Sequence, residues 1–398
     1  MSNKFITQIL GIKEKYIEID HYEIVDSAFH VELSTKVRKV TCPRCKHKTK
    51  RVHSYRTQRI QGRLIEEKPV ILSLRKRRYK CLECHATFYE SLGLVDRYQR
   101  RTNTLNTQTL AYASENSFTM AARMCGLTPS SVLRLFDKMH IKQRVILPKV
   151  IAIDEFKGDA DKERFQTIIV DVEKKEIIEI LPDRRVKTIE EYFGNCDIGK
   201  VQTVVMDMSR VFKLAVQRAF GHPIIIVDRF HFIRQGYWAL DRVRREVQKT
   251  FKKPDRLKSK RSKKLLWLAP EKLNDKGRER VKELLALHPD LAEAYRLKNA
   301  LHNWFHTSDC YNVKEKLYEW FDEVKNSSIR EFDSVVKTFK NWQTEILNAF
   351  IFSYNNGYIE GINNTTKVIK RMSYGIKSFE RLRKKILYRQ AIRSVALA

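Results

Sequence analysis

The 398-residue sequence predicts a multidomain protein whose largest part is an α/β domain interrupted by an all-α insertion. Four apolar runs rich in β-branched residues each end on an aspartate, which is typical of strands buried on both faces of a sheet. These runs occupy residues 150–154, 168–171, 204–207 and 224–228. Residues 232–350 contain no such run, and two Cys-x-x-Cys pairs precede the first one. We therefore expect small domains first, then a sheet, then helices, and finally a segment that returns to the sheet.

The net charge is strongly positive and is spread along the chain. Lys and Arg number 78 against 47 Asp and Glu, which gives +31. Distributed cations of this kind favour a nucleic-acid partner, since binding to phosphates releases counterions. A ribosome-associated or merely basic protein is the alternative. No apolar run approaches the roughly 20 residues of a membrane helix, and no signal peptide is recognisable. The seven cysteines do not indicate a secreted disulfide scaffold, so we expect a cytoplasmic protein without a membrane partner.

Two cysteine pairs indicate a structural zinc site. The first is Cys42 with Cys45, and the second is Cys81 with Cys84. Four thiolates on two tight turns suit tetrahedral zinc, with no position left open for chemistry. A redox dithiol pair is the alternative, but it usually needs only one such motif. A basic hairpin is expected between the pairs, over residues 70–79.

Residues 118–138 have the pattern of a helix-turn-helix. A helical segment ends at Gly126, and Thr128 and Pro129 then have the residue types of an N-cap and a first helical position. The second helix of this motif enters the major groove of DNA. An ordinary helical hairpin is the alternative. The side chains that would face the groove are Ser130, Ser131, Arg134 and Lys138.

The order of the sheet follows from its connections. Strands over 150–156, 165–172 and 176–181 are joined by short polar segments, which predicts an antiparallel meander. Helical segments then precede strands over 201–206 and 223–227, and right-handed crossovers make both strands parallel to the first. The simplest strand order is therefore 3-2-1-4-5.

This strand order predicts which of the four aspartates lie close together. Asp171 ends an antiparallel strand and falls at the opposite end of the sheet. Asp154 and Asp207 follow neighbouring parallel strands, about 4.8 Å apart, and can share a metal ion. Asp228 is two strands from Asp154, roughly 10 Å away, which is too far to share one directly.

A helix over residues 354–371 would carry a third carboxylate. Glu360 shares one helical face with amides and cations, a composition that is unusual for a merely solvated face, although a surface helix with a chance glutamate is the alternative. The residues expected to bind DNA phosphates are Asn363, Asn364, Lys367, Lys370 and Arg371. A basic helix over 379–389 would clasp DNA or close the core.

Six motifs in one order resemble a known family. They are Cys-Pro-x-Cys, Cys-x-x-Cys, the Ile-Asp-Glu-Phe of residues 153–156, the Met-Asp-Met-Ser of 206–209, the Val-Asp-Arg-Phe-His of 227–231 and the Glu-Gly-x-Asn-Asn of 360–364. Together these motifs resemble those of the ISL-three family of bacterial insertion-sequence transposases. The resemblance covers nearly the whole chain.

The resemblance implies an α/β ribonuclease-H-like catalytic core with the triad Asp154, Asp207 and Glu360. These carboxylates would hold two Mg²⁺ or Mn²⁺ ions, with Asp154 between them, because oxygen ligands favour these ions over zinc. Asp228 and His231 match an accessory Asp-x-x-His motif whose role is unassigned. The expected domains are a zinc ribbon (1–95), a helix-turn-helix (96–145), the first part of the core (146–235), the α-helical insertion (236–350), and a closing helix with a basic C-terminal helix (351–398).

The resemblance also implies a function. The zinc ribbon and helix-turn-helix would recognise terminal inverted repeats, and the core would cut the element's ends and join the freed 3′-hydroxyls to target DNA. Double-stranded DNA is the expected partner, in a homodimer or larger synaptic assembly associated with the bacterial nucleoid. The alternatives are a catalytically silent DNA-binding regulator derived from a transposase, and a structure-selective nuclease of the same fold.

Overall fold

The computed structural model describes the backbone of residues 3–396 and the side chains of residues 6–392. It divides into two compact units, each described by itself. The first unit comprises Met1–Ile141 and Thr366–Ala398, and the second comprises Lys142–Thr365. Across the described residues, no helix combines the length and the hydropathy that a membrane crossing requires.

The first unit begins with a helix and a mostly antiparallel sheet of order β1-β2-β6-β5, with β7 paired to β6. Two further short strands, β3 and β4, pair with each other. The bounds are α1 (Asn3–Ile9), β1 (Ile17–Val25), β2 (Ala28–Thr35), β3 (Val40–Thr41), β4 (Lys48–Thr49), β5 (Val52–Gln61), β6 (Val70–Lys80) and β7 (Thr87–Tyr89). The expected hairpin over residues 70–79 was wrong, because this segment is one continuous strand that pairs with β5. Its sequence has no glycine, proline, asparagine or aspartate at which the chain could reverse.

Three short helices follow: α2 (Asn103–Glu115), α3 (Phe118–Cys125) and α4 (Pro129–Asp137). Gly126 ends α3 in the left-handed conformation, at φ 62°, which a glycine adopts without steric strain. The Thr128 hydroxyl accepts a hydrogen bond from the Ser131 N–H and caps α4. Phe136 is fully buried in the core that these helices share.

The second unit contains a five-stranded sheet of order β10-β9-β8-β11-β12, which is 3-2-1-4-5 when its strands are counted along the chain. Strand β8 pairs antiparallel with β9 and parallel with β11, which in turn pairs parallel with β12. The bounds are β8 (Val150–Ala160), β9 (Glu163–Asp171), β10 (Glu176–Leu181), α5 (Val186–Gly194), β11 (Thr203–Met206), α6 (Arg210–Phe220) and β12 (Ile224–Val227).

Helices and short connections form the second unit from Arg229 to Ile351. They are α7 (Arg229–Val247), α8 (Lys253–Arg261), α9 (Lys263–Trp267), α10 (Asp275–Leu285), α11 (Pro289–Thr307), α12 (Val313–Asn326), α13 (Asp333–Asn341) and α14 (Gln343–Ile351), with two 3₁₀ turns at Pro270–Lys272 and Arg330–Phe332. Aromatic side chains form their core. Phe232 and Trp304 contact each other, and both of them and Trp320 contact the ring of Phe339. Helix α14 packs along the edge strand β12.

The last two helices are α15 (Gly357–Met372) and α16 (Phe379–Ala396). Residues from Thr366 onward belong to the first unit, whereas the sequence grouped the whole of 351–398 with the core. Helix α16 packs on α2, and its cations bind groups of the short helices. Arg381 forms two 2.8 Å hydrogen bonds to the Asp137 carboxylate, and Lys385 is fully buried and donates to the Asn116 carbonyl. The helix therefore braces α2–α4 within the first unit.

Candidate active site

Three aspartates follow the parallel strands at the same level of the sheet. Ile153, Met206 and Val227 lie side by side in register, where the pairing of β8 with β11 and that of β11 with β12 both end. The next residue in each chain segment is Asp154, Asp207 or Asp228. Parallel strands therefore bring three carboxylates to one edge, the edge at which open α/β sheets bind ligands.

Asp154 is held by two hydrogen bonds. It lies within β8 and not at its end, because β8 continues beside β9 to Ala160 after its pairing with β11 has stopped. The Glu155 N–H donates to Asp154 Oδ1 at 2.7 Å, and the Asn363 amide donates to Oδ2 at 2.9 Å. The side chain is 9% exposed. Burial and the neighbouring Asp207 charge raise the pKa of Asp154 to about 7, although both hydrogen bonds and His231 oppose the rise.

Asp207, Asp228 and His231 form a compact cluster. One ligand atom from each lies within 4.8 Å of the others. His231 Nδ1 is 2.6 Å from Asp207 Oδ1 and 4.0 Å from Asp228 Oδ2. The shorter distance is that of a hydrogen bond, yet both buried atoms lack a partner with hydrogen-bond geometry. A carboxylate oxygen and an imidazole nitrogen that are buried, face each other and have no hydrogen-bond partner could both bind a cation.

The first turn of α7 creates this cluster. Asp228 caps the helix by accepting a hydrogen bond from the Phe230 N–H at 3.0 Å, which places His231 three residues on, above the same carboxylate. Burial raises the pKa of Asp228, the Phe230 N–H and His231 oppose this, and the Asp207 and Glu360 charges add to the rise. Burial lowers the pKa of His231, but the carboxylates around it, Asp207 first, outweigh burial and raise that pKa.

Glu360 reaches the site from α15. Its side chain is exposed, and its charge acts on Asp228. Among the described residues, the compact cluster contains neither Glu360 nor Asp154. The structure thus brings Asp154, Asp207 and Asp228 to one edge, and the Glu360 charge acts on Asp228.

Two side chains that the sequence did not single out hold this part of the fold. Arg229 follows Asp228 at the start of α7 and donates to the Ala349 carbonyl at the end of α14, at 3.1 Å from Nε. The Asn348 amide donates to the Ile225 carbonyl of β12 at 2.8 Å. These bonds fix α14 on the sheet edge immediately before the chain enters α15. The position of Arg229, within the Asp-x-x-His motif of residues 228–231, was the available signal.

Asp171 lies elsewhere, as its strand direction predicts. It pairs with Ile151 at the opposite end of β8. Its carboxylate is buried and accepts hydrogen bonds from Arg144 Nη2 at 3.1 Å and from the Lys174 N–H at 3.0 Å. Both partners are local, so Asp171 has a structural role.

The four predicted zinc ligands come together. Cys42 Sγ is 3.6 Å from Cys84 Sγ, and Cys45 Sγ is 3.5 Å from Cys81 Sγ. Zinc–sulfur bonds of about 2.3 Å place tetrahedral sulfurs about 3.8 Å apart, so the cluster fits the ion. The Cys45 N–H lowers the pKa of Cys42 to about 6. The His47 N–H lowers the pKa of Cys45, but the nearby sulfurs and burial outweigh it and raise that pKa to about 12. Four thiolates this close repel one another unless a cation offsets their charge.

The remaining predicted residues are mostly accessible. On α4, Ser130, Arg134 and Lys138 are exposed and Ser131 is partly buried. On α15, Asn364, Lys367 and Arg371 are exposed and Lys370 is partly buried. Asn363 is the exception among the predicted DNA contacts, because its amide is bonded to Asp154.

Two family comparisons cover most of the chain. A zinc-ribbon family, described as the zinc-finger of transposase IS204/IS1001/IS1096/IS1165, matches residues 38–84. A transposase family of the ISL3 type, the ISL-three family, matches residues 151–386, well over half of the sequence. The chain belongs to the ISL3 transposase family. The resemblance drawn from the ordered motifs is therefore confirmed, and the cysteine cluster lies in the zinc ribbon of an ISL3 transposase.

One individual relative matches most of the chain, and another matches a short segment. The transposase for insertion sequence element IS1001 of Bordetella parapertussis is 27% identical over 365 residues, which is 88% of each protein. A protein of Lactococcus lactis subsp. lactis named ATP-dependent protease is 38% identical over 58 residues, 15% of this chain and 19% of its own. The second match is too short to bear on the ISL3 transposase as a whole.

Proposed function

We propose that this ISL3 transposase cuts the ends of its insertion sequence and joins them to target DNA by metal-dependent phosphoryl transfer. The observation that supports the proposal is the set of aspartates that follows three adjacent parallel strands in register. The strand order of the sheet is that of the proposed ribonuclease-H-like core. The catalytic carboxylates in this proposal are Asp154, Asp207 and Glu360.

Each carboxylate has a distinct setting. Asp154 is fixed by the Glu155 N–H and by Asn363, so its free lone pairs are aimed by the protein before any ligand arrives. Asp207 shares a buried, unsatisfied contact with His231. Glu360 approaches from an exposed position on a helix. Bound Mg²⁺ or Mn²⁺ would polarise the scissile phosphate and activate the attacking water or 3′-hydroxyl.

The cluster of Asp207, Asp228 and His231 supports an accessory role for the Asp-x-x-His motif. Crowded carboxylates with raised pKa values need a neighbouring positive charge, either from protonated His231 or from a divalent ion. An imidazole donor favours Mn²⁺ over Mg²⁺ at such a position. In this proposal His231 orients Asp207 through their 2.6 Å contact.

The first unit would recognise DNA. The zinc ribbon holds its strands through Cys42, Cys45, Cys81 and Cys84, with zinc in a structural role. Helix α4 is capped and braced, as a helix that enters the major groove needs to be, and it would read terminal inverted repeats through Ser130, Ser131, Arg134 and Lys138. On α15, Asn364, Lys367, Lys370 and Arg371 would bind phosphates.

Two DNA ends must be cut together, so the working form is a homodimer or a larger synaptic assembly at the nucleoid. The proposed domain limits are 1–95, 96–145, 146–235, 236–350 and 351–398. In this division Glu360 is returned to the core by α15 after the helical insertion.

The test is cleavage of linear DNA that carries the element's own ends, with Mg²⁺, by wild type and by Asp154→Asn. We expect nicking and strand transfer by wild type and neither by the variant. Asp161→Asn is the matched control, because Asp161 is exposed in the β8–β9 turn at φ 47°, a conformation that asparagine tolerates. Wild-type binding without cleavage would identify a silent regulator. Cleavage of branched DNA without end sequence or strand transfer would identify a structure-selective nuclease.

A further inference from the structure

A basic groove lies in the first unit, outside the residues to which a DNA contact was assigned from the sequence. It is bounded by β5, β6 and the segment that follows β7, and its volume is about 1250 Å³. We call it the basic groove. Its charged lining residues are Arg56, Arg59, Lys76, Arg78, Arg97, Arg100 and Glu90. Six cations against one carboxylate make it strongly positive.

One carboxylate, Glu90, lies among the cations of this groove, and its charge acts on Lys76. Among the described residues, none of the six forms an ion pair. The one carboxylate, Glu90, is buried and already accepts hydrogen bonds from the Thr35 hydroxyl at 2.7 Å and the Arg77 N–H at 2.8 Å. The cations of α16 differ, since Arg381 is paired with Asp137. Unpaired cations that converge on one concavity indicate an anionic ligand.

Aromatic rings stand at the same groove. Tyr98 is 84% exposed, so its ring is open to a ligand. The Arg97 guanidinium lies 4.7 Å from the Tyr98 ring centre. Tyr89 is 43% exposed, and the Arg78 guanidinium lies 5.8 Å from its ring centre. Each ring therefore has a cation beside it and an accessible face.

We propose that the basic groove binds a single, unpaired DNA strand, with bases stacked on Tyr98 and Tyr89 and phosphates on the arginines. A positive groove interleaved with exposed aromatics is the arrangement that binds single strands without sequence preference. A duplex keeps its base faces stacked inside, so exposed rings would find no partner on it. The inference rests on the proposed end cleavage, because a strand that has been cut at the element's end can unpair from its complement.

The test measures binding of a fluorescein-labelled thymidine 12-mer by anisotropy, with the full-length protein and without divalent metal. We expect Tyr98→Ala to bind it roughly 5- to 150-fold more weakly, the range for one lost base stack. Tyr98→Phe should bind as wild type does, because the ring is retained. An abasic oligomer of equal length should bind wild type and Tyr98→Ala alike.

The phosphate contacts have a separate signature. The double variant Arg56→Gln with Arg59→Gln should bind both oligomers more weakly. It should also reduce the slope of log K against log salt concentration by roughly 0.7 per lost phosphate contact. Tyr374→Ala is the matched control, since Tyr374 is 94% exposed, has φ 55° and lies outside the groove. It should bind the thymidine oligomer as wild type does.

Three outcomes would overturn the inference. The first is that wild type does not bind the thymidine oligomer, and the second is that Tyr98→Ala binds it as tightly as wild type. The third is that Tyr98→Ala loses as much affinity for a 12-base-pair duplex as for the single strand. Asp154→Asn should bind the oligomer normally. Wild type that binds the oligomer but does not cleave the element's ends would therefore count against the proposed function alone. Wild type that cleaves the ends but does not bind the oligomer would count against the groove alone.

Discussion

Asp154→Asn should stabilise the metal-free protein at alkaline pH. The folded-state pKa of Asp154 is raised from 3.8 to about 7, so the folded protein binds this proton more tightly than the unfolded chain. The stabilisation is complete below the unfolded pKa and is lost as the pH rises through about 7. A shift of about 3 units corresponds to on the order of 4 kcal/mol. Asparagine offers one oxygen where Asp154 accepts two hydrogen bonds, which costs about 1 kcal/mol, so the net gain is on the order of 3 kcal/mol.

The assay is urea unfolding followed by tryptophan fluorescence at pH 5 and pH 8.5. All five tryptophans, Trp238, Trp267, Trp304, Trp320 and Trp342, lie in the second unit, so the signal reports on the unit that contains Asp154. Magnesium is omitted and no chelator is added, so that zinc in the first unit is retained.

The difference in unfolding free energy between variant and wild type should be larger at pH 8.5 than at pH 5. Added Mg²⁺ should stabilise wild type more than the variant. Asp171→Asn is the control and should destabilise the protein, because the Arg144 guanidinium loses the buried one of its two carboxylate partners, Asp171 and Glu176. An Asp154→Asn variant that is less stable than wild type at pH 8.5 would refute this account of crowded carboxylates.

Three further predictions concern the zinc site, a close contact and the histidine. Metal analysis should find one zinc per chain in wild type and close to none in Cys42→Ser. The control Cys310→Ser, at an exposed cysteine, should keep the metal. Equal zinc content in all three proteins would contradict the predicted site. A Cβ on Gly158 would lie 1.7 Å from Gln166 Oε1, so Gly158→Ala should displace that buried amide from the Glu163 and Pro182 carbonyls and destabilise by roughly 2–3 kcal/mol in urea. Gly194→Ala, which has open space, should be near neutral, and similar midpoints would disprove the contact. His231→Ala should weaken Mn²⁺ binding at least about 10-fold by calorimetry, whereas exposed His222→Ala should not, and unchanged affinity would remove His231 from the ion's surroundings.

The sheet was predictable because its signals are local. Each apolar run marks a strand, and the lengths of the connections determine which pairs are parallel. Placing Asp154 and Asp207 at one edge required only that reasoning, and the cysteine pairs came together as their spacing predicted.

Contacts between distant segments were not predictable in this way. Asn363 lies 209 residues from Asp154, and helical periodicity showed only that it shares a face with Glu360. The cations of α16 suggested a DNA contact, but their partners, Asp137 and the Asn116 carbonyl, lie in helices more than 240 residues earlier. The Asp207–His231 contact depends on how the cap at Asp228 turns the first residues of α7.

End cleavage by Glu360→Gln tests the central claim most directly, because Glu360 reaches the edge of the sheet from α15 and lies outside the compact cluster. Single-turnover cleavage of DNA with the element's ends should fall on the order of 100-fold or more, with end binding and the unfolding midpoint unchanged. Glu380→Gln, at an exposed position of α16, should cleave normally. Wild-type rates in Glu360→Gln would contradict the proposal that Asp154, Asp207 and Glu360 act as one catalytic set.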